Sequence, residues 1–164
     1  MSQPPEAARR PVRPRPRGGI WEDPFWSFVS RRQLRLQRCR RCGKTWFPPG
    51  PVCPSCLSED WQWTAISGAG TLLSWTTFHR QYFPTIPPPH TVAAVLLDEG
   101  PILIADVDAP PDRLVLDGRM RLTYHEVDDL DGNPFQLYRW TPHTPTGYSP
   151  SPRETTLEGA RTDD

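Results

Sequence analysis

Four cysteines in the pattern C-x2-C, ten residues, C-x2-C constrain this chain more than any other feature. They are Cys39, Cys42, Cys53 and Cys56, and the sequence has no others. A two-residue gap lets both thiolates of a pair turn onto one ion, and two such pairs complete a tetrahedral set of sulfurs. Gly43 follows the first pair, where the turn wants a residue that tolerates positive φ. Pro48, Pro49, Pro51 and Pro54 stiffen the approach to the second pair. The spacing fits a tight, rubredoxin-like ribbon. A redox C-x-x-C would need a thioredoxin-like βαβ setting. Two disulfides would suit a secreted domain led by an apolar signal segment, and the sequence offers neither context. The reading is therefore a structural Zn²⁺. Four thiolates leave no open coordination position, so such an ion holds structure and does no chemistry.

The remaining length leaves room for one ordinary domain beside this small module, with 164 residues, 22 of them proline. No apolar run approaches the ~18 residues of a membrane span. The absence of a signal peptide and the metal-type cysteine usage both favour a reducing cytoplasm. A net charge of zero hides an asymmetry. Residues 1–60 carry twelve basic and five acidic side chains, a net +7, whereas residues 61–140 carry five and ten, a net −5.

Residues 1–20 hold five prolines and five arginines with one acid. Proline spacing forbids a helix and no apolar face exists, so a disordered basic arm is expected. Asp23-Pro24 reads as a helix start, with aspartate at the N-cap and proline at the first helical position. Phe25, Trp26, Phe28 and Val29 then make one short aromatic helix, too short to stand alone. Leu34 and Leu36 alternate with Arg35 and Gln37 in a strand running into the first cysteine pair, and Lys44 to Phe47 returns as its partner. These parts define a helix plus zinc ribbon over 21–60.

From Trp61 onward the apolar period is two. Trp61, Trp63 and Ala65 alternate, Gly68-Ala69-Gly70 marks a bend or bulge, and Leu73, Trp75 and Thr77 continue. Val92 to Leu97 is a continuous apolar run, which predicts a strand buried on both faces. Ile102 to Val107, Met120 to Tyr124 and Phe135 to Trp140 follow. Strands without intervening helices at this size predict a five-stranded OB-type barrel over 61–140. Between its second and third strands lies a proline-rich loop, 79–90, carrying Tyr82 and Phe83. A disordered tail is expected over 141–164.

Catalytic patterns are sparse. There is no glycine-rich phosphate loop and no serine-centred elbow. His79 and His90 bracket the proline-rich loop, His125 alternates with Tyr124, and His143 lies in the tail. Asp106 and Asp108 share a strand face, and Asp128, Asp129 and Asp131 form a loop cluster. None of these makes a recognisable constellation. Binding fits the residues better than catalysis. OB barrels can bind single-stranded nucleic acid on aromatic platforms inside a basic groove, and Trp75, Phe78, Tyr82 and Phe83 could supply rings. A barrel at −5 opposes a phosphate backbone, however.

Taken in order, Phe25-Trp26, Leu34 to Cys39, Cys42-Gly43, Phe47-Pro48-Pro49, Cys53-Pro54-Ser55-Cys56 and Ser67-Gly68-Ala69-Gly70-Thr71 resemble one family. It is the zinc-ribbon/OB-fold group formerly catalogued as a domain of unknown function, and the resemblance covers about residues 21–140. Gly50 stands where that family usually carries arginine. The resemblance implies a small acyl-CoA-associated protein that partners thiolase-like enzymes. Some relatives complete aldolases that shorten steroid side chains by retro-aldol cleavage of a CoA thioester. Others bridge a thiolase to a hydroxymethylglutaryl-CoA synthase. In both, the thiolase-like subunit carries the catalytic residues, so none is expected here. On this reading the ribbon residues Arg40, Arg41 and Lys44 are candidates for CoA phosphates, and Phe25, Trp26, Tyr82 and Phe83 are candidates for the partner interface. The competing class is a single-stranded nucleic-acid-binding ribbon/barrel protein.

Overall fold

The period-two segments resolve into two small sheets in a computed structural model that describes residues 10–143. One helix, α1 (Glu22–Ser30), precedes eight strands: β1 (Arg35–Cys39), β2 (Thr45–Trp46), β3 (Trp61–Ala65), β4 (Ala69–Phe78), β5 (His90–Leu97), β6 (Ile102–Asp106), β7 (Arg119–Asp128) and β8 (Pro134–Pro142). The order in the ribbon sheet is β2-β1-β3, and in the barrel sheet β6-β5-β4-β7-β8. This is the expected architecture: mainly β, one short helix, a four-cysteine ribbon and a five-stranded barrel.

Two boundaries differ from expectation. β3 belongs to the ribbon, pairing antiparallel with β1 from Arg35↔Ala65 to Cys39↔Trp61. Its Trp61/Trp63 alternation fits either sheet, and only the long-range register decides. The helix also starts one residue before Asp23. Trp21 occupies the N-cap position without a side-chain cap. Asp23 instead closes its N–H onto the Gly19 carbonyl at 2.9 Å, with its carboxylate against Gly18, where any Cβ would collide with it.

Buried side chains of α1, ribbon and barrel merge into one core. Phe25 and Val29 of the helix join Leu34 and Leu36 of the ribbon and Leu72, Val95, Leu97, Leu103, Met120 and Trp140 of the barrel. The helix is thus the mortar between modules, as its length requires. Gly70 explains the second glycine of the S-G-x-G-T motif. A Cβ there would run into the Leu96 carbonyl and Val95 of the paired strand, so only glycine lets β4 lie against β5. The barrel closes at Trp140. Its carbonyl accepts the Asp108 N–H at 2.7 Å, beside a parallel bridge to Val107. Its indole N–H donates to the Leu103 carbonyl at 3.3 Å, with the ring fully buried.

The N-terminal arm is the largest departure. Residues 10–17, expected within a disordered arm, lie against the acidic end of the barrel. Val12 bridges Asp128 in parallel, and Arg13 N–H donates to the Asp128 carbonyl at 2.9 Å. Arg10 pairs with Glu126 and Asp128, each at 2.8 Å, and Arg15 with Asp129 at 3.0 Å. The opposite charges of the two halves supply the attachment that an apolar face would otherwise give. The remainder of the expected arm, residues 1–9, and the tail from 144 lie outside the described residues. No helix among the described residues is long and apolar enough to cross a membrane.

Candidate metal centre and binding surfaces

The two cysteine pairs meet with all four sulfurs within 4.8 Å of one another. The Cys39–Cys56 and Cys42–Cys53 separations are both 3.6 Å. A tetrahedral ion with bonds of about 2.3 Å would set sulfurs about 3.8 Å apart, close to these two separations, so the set can close on one ion. Each knuckle repeats the same backbone bonds. Cys39 N–H donates to the Lys44 carbonyl and Cys53 N–H to the Ser58 carbonyl, each at 2.9 Å. The thiols respond to this scaffold. Burial pushes Cys39 up, but N–H groups of Cys42 and Arg41 aimed at its sulfur outweigh it and bring it to about 7. Cys53 is likewise lowered, against burial, by the amides of Cys56 and Ser55. Cys56 goes the other way. The Ser58 amide lowers it, yet burial and the neighbouring thiols raise it to about 12. A thiolate-ready pair beside a thiol crowded by its neighbours is what a cation must resolve by binding all four.

The proline-rich segment between the knuckles is held by two side chains that sequence reasoning passed over. Gln37, fully buried, donates to the Gly50 carbonyl at 2.9 Å and accepts the Gly50 N–H at 2.7 Å. The Trp61 indole donates to the Pro51 carbonyl at 2.9 Å. Gln37 was legible only as a polar member of a two-sided strand.

None of the three CoA-phosphate candidates lines the cavity that Trp26 and Tyr82 share. Arg40 points to Asp60 at 3.4 Å and Gln62 at 3.2 Å, while Arg41 and Lys44 are exposed on the first knuckle. The interface candidates divide. Phe25 is buried in the core against Phe47 and Tyr138 and is unavailable to a partner. Its position on the core face of α1 overrides its aromatic character. Phe83 folds back onto its own loop through a bridge to Ile86. Trp26 and Tyr82 do meet, across a cavity of about 270 Å³ that Arg13, His90, Ile104 and Asp106 also line. Trp26 stacks on Tyr138 at 6.0 Å, and Tyr82 sits 4.7 Å from Phe78. The Asp106 carboxylate holds His90 Nε2 at 3.2 Å and faces Arg13 at 3.6 Å. His90 is thereby a satisfied rim residue. His125 is pulled down by burial and then by Arg139. Asp129 caps its own loop, accepting the N–H groups of Asp131 and Asn133.

One surface contradicts the expectation of a doubly buried strand. Val92, Ala94 and Leu96 of β5 share a face that the barrel leaves uncovered. Register places Ala94 opposite Ile104 and Leu96 opposite Ile102 of β6. Ile104 is 64% exposed, Ile102 50% and Leu96 38%. The strip runs without a break into the Trp26–Tyr82 cavity through Ile104 and Val92.

Comparison with known proteins matches both modules. Residues 26–62 fit the rubredoxin-like zinc ribbon domain of ChsH2, and residues 63–125 its C-terminal OB-fold domain. The chain is 34% identical over 126 residues to a probable enoyl-CoA hydratase alpha subunit of Thermomonospora curvata, covering 75% of this chain and 40% of that protein. It is 30% identical over 119 residues to the 3-oxo-4,17-pregnadiene-20-carboxyl-CoA hydratase alpha subunit of Mycobacterium tuberculosis, covering 72% of this chain and 36% of the other. The chain therefore spans well under half the length of those two relatives. It is 29% identical over 109 residues to the benzoylsuccinyl-CoA thiolase subunit BbsA of Thauera aromatica, covering 65% and 74%. Among solved structures, a chain of an Ltp2-ChsH2(DUF35) aldolase superposes with a TM-score of 0.70 at 29% identity, covering 78% of this chain and 98% of that one.

Proposed function

Because the chain belongs, through residues 26–125, to the ChsH2 family of zinc-ribbon and OB-fold proteins, we infer that it is an accessory subunit of an acyl-CoA enzyme, docked on a thiolase-like partner that carries the chemistry. The single observation that carries this reading is the Ile104–Ile102–Leu96 strip. A strand whose sequence is written for burial on both faces is covered on only one by the described residues. Three large aliphatics in a row on one sheet face, continuous with an aromatic cavity, have the character of a protein interface. The ion at Cys39, Cys42, Cys53 and Cys56 is Zn²⁺ on this reading. Four thiolates suit it, and a closed tetrahedral shell leaves it a purely structural part.

The reaction that best accommodates the relatives is a retro-aldol carbon–carbon cleavage of a steroid side-chain CoA thioester in the cytoplasm. The aldolase chain is matched over nearly its whole length, and a steroid-type CoA thioester stands in the name of the Mycobacterium relative. Nothing in this chain is assigned to bond cleavage. Its part is to hold the partner and wall the substrate channel. Affinity capture of the tagged chain from its native host tests the docking reading. A thiolase-like protein in stoichiometric amount supports it, and recovery of the chain alone under gentle conditions contradicts it.

A further inference from the structure

Asp106, Glu126, Asp128 and Asp129 line a groove at the acidic end of the barrel. Apart from His90 beside Asp106, every ion-pair partner of these four carboxylates among the described residues is an arginine of the N-terminal arm. Each arginine has its own seat. Arg10 spans Glu126 and Asp128. Arg13 enters deepest, its side chain 16% exposed, with Asp106 at 3.6 Å and its Nη1 donating to the Thr85 carbonyl at 3.5 Å. Arg15 lies 4.5 Å over the Phe135 ring while its Nε donates to Asp129 and its Nη2 to the Pro134 carbonyl at 3.3 Å. Arg17, two residues on, takes part in none of the ion pairs among the described residues, so position and not charge alone selects the three. The backbone fixes the register. Asp128 N–H donates to the Pro11 carbonyl at 3.0 Å, and Arg13 N–H to the Asp128 carbonyl at 2.9 Å. Pro14 and Pro16 wall the Trp26–Tyr82 cavity beside it.

We propose that this groove is a recognition site for an extended arginine–proline peptide, with arginines at its first, fourth and sixth positions, and that residues 10–15 are its resident ligand in cis. Main-chain pairing at a strand end supplies affinity, and separate side-chain seats supply the register, which is how strand-adding peptides are read. A planar guanidinium suits seats built from a carboxylate, a carbonyl and an aromatic face. Proline holds the peptide extended beforehand and so lowers the cost of ordering it. No arm residue belongs to the buried core, so the arm can leave while the fold stays. A partner segment of the same pattern enters by displacing it, against the high effective concentration that a short tether gives the resident arm. The site rests on contacts within this chain and not on the accessory-subunit reading.

The test uses the full metal-loaded chain carrying Arg10→Glu, Arg13→Glu and Arg15→Glu together, which repels the arm from the groove. Metal content and thermal unfolding establish that this variant is folded. A dye-labelled peptide of residues 10–17, followed by fluorescence anisotropy, should bind it about tenfold or more tightly than it binds the parent, whose own arm competes. A peptide of the same composition with its arginines respaced, and one with lysine for every arginine, should each bind about fivefold or more weakly. Adding Glu126→Gln to the variant should weaken the original peptide. Amide exchange gives a second readout at the groove itself. The Asp128 N–H should exchange slowly in the parent, faster in the variant, and slowly again once the peptide is added. No binding by the variant, equal binding by the respaced peptide, or an Asp128 amide indifferent to both arm and peptide would each overturn the assignment.

Discussion

Gly43 and Leu57 hold the same place in the two cysteine knuckles. Each follows the second cysteine of its pair, and each lies in the left-handed region, at φ 75° and 58°. Each donates its N–H to the carbonyl of the pair's first cysteine, at 3.0 and 2.9 Å. One knuckle uses glycine, to which this conformation is open, and the other holds an exposed leucine there at a steric cost of about 1 kcal/mol. Leu57→Gly should therefore raise the stability of the metal-loaded ribbon by up to about 1 kcal/mol, and Gly43→Ala should lower it by a similar amount. Thermal unfolding of the metal-loaded variants checks both signs. A destabilised Leu57→Gly would mean that the leucine side chain makes contacts outweighing the strain.

The metal centre should bind one equivalent of zinc and couple that binding to ribbon folding, because the ribbon's own core is little more than Cys39, Trp46 and Cys53. Cys42→Ala should release the metal and loosen residues 34–60 while the barrel sheet persists. Metal analysis and amide exchange on the same sample measure the two halves of this claim.

Gln37 is the polar side chain whose loss should be felt most. Gln37→Ala frees the Gly50 N–H and carbonyl inside the fold, and leaving buried polar groups unpaired costs about 1–3 kcal/mol. Denaturant unfolding should show that loss. Gln37→Glu, which keeps the acceptor for the Gly50 N–H but not the donor for its carbonyl, should fall between.

Acid should loosen the arm and the β7–β8 turn together. The Asp129 carboxyl is held below its usual range, first by the Asn133 amide and then, against burial, by Arg15. A depressed pKa contributes stability that is present above the unfolded value, about 4, and lost as pH falls through the folded one. Asp129→Asn should be less stable than the parent at pH 7, and the gap should close as pH falls through the folded value. Deleting residues 1–17 should lower the melting temperature by a few degrees at low salt and by less at high salt, since these pairs sit at the surface. An unchanged melting temperature at low salt would show that the arm contributes nothing.

The metal site and the barrel were legible because local rules carry them: cysteine spacing for one, strand parity and glycine placement for the other. What escaped depends on distance along the chain. Whether Trp61 and Trp63 belong to ribbon or barrel is settled by their register against Cys39 and Gln37. Arg10, Arg13 and Arg15 look like a solvated leader until Asp106, Glu126, Asp128 and Asp129, about ninety or more residues away, are brought beside them. Phe25 and Trp26 are adjacent aromatics on a short helix, and only packing shows that one is core and the other half-buried at the wall of a cavity. The apolar run Val92–Leu97 signalled burial correctly for one face. For the other, the described residues supply no cover.

The most direct test of the central claim is turnover by the thiolase-like partner, assayed with its acyl-CoA substrate in the presence and absence of this chain. Alone, the chain should cleave nothing, and the partner alone should be slow. Together they should turn over at least tenfold faster. Ile104→Lys, which puts a charge in the middle of the apolar strip without touching the core, should abolish the gain at concentrations where the parent saturates, while unfolding at the same temperature. Full turnover by the partner without this chain, or an Ile104→Lys variant that activates as well as the parent, would contradict the account.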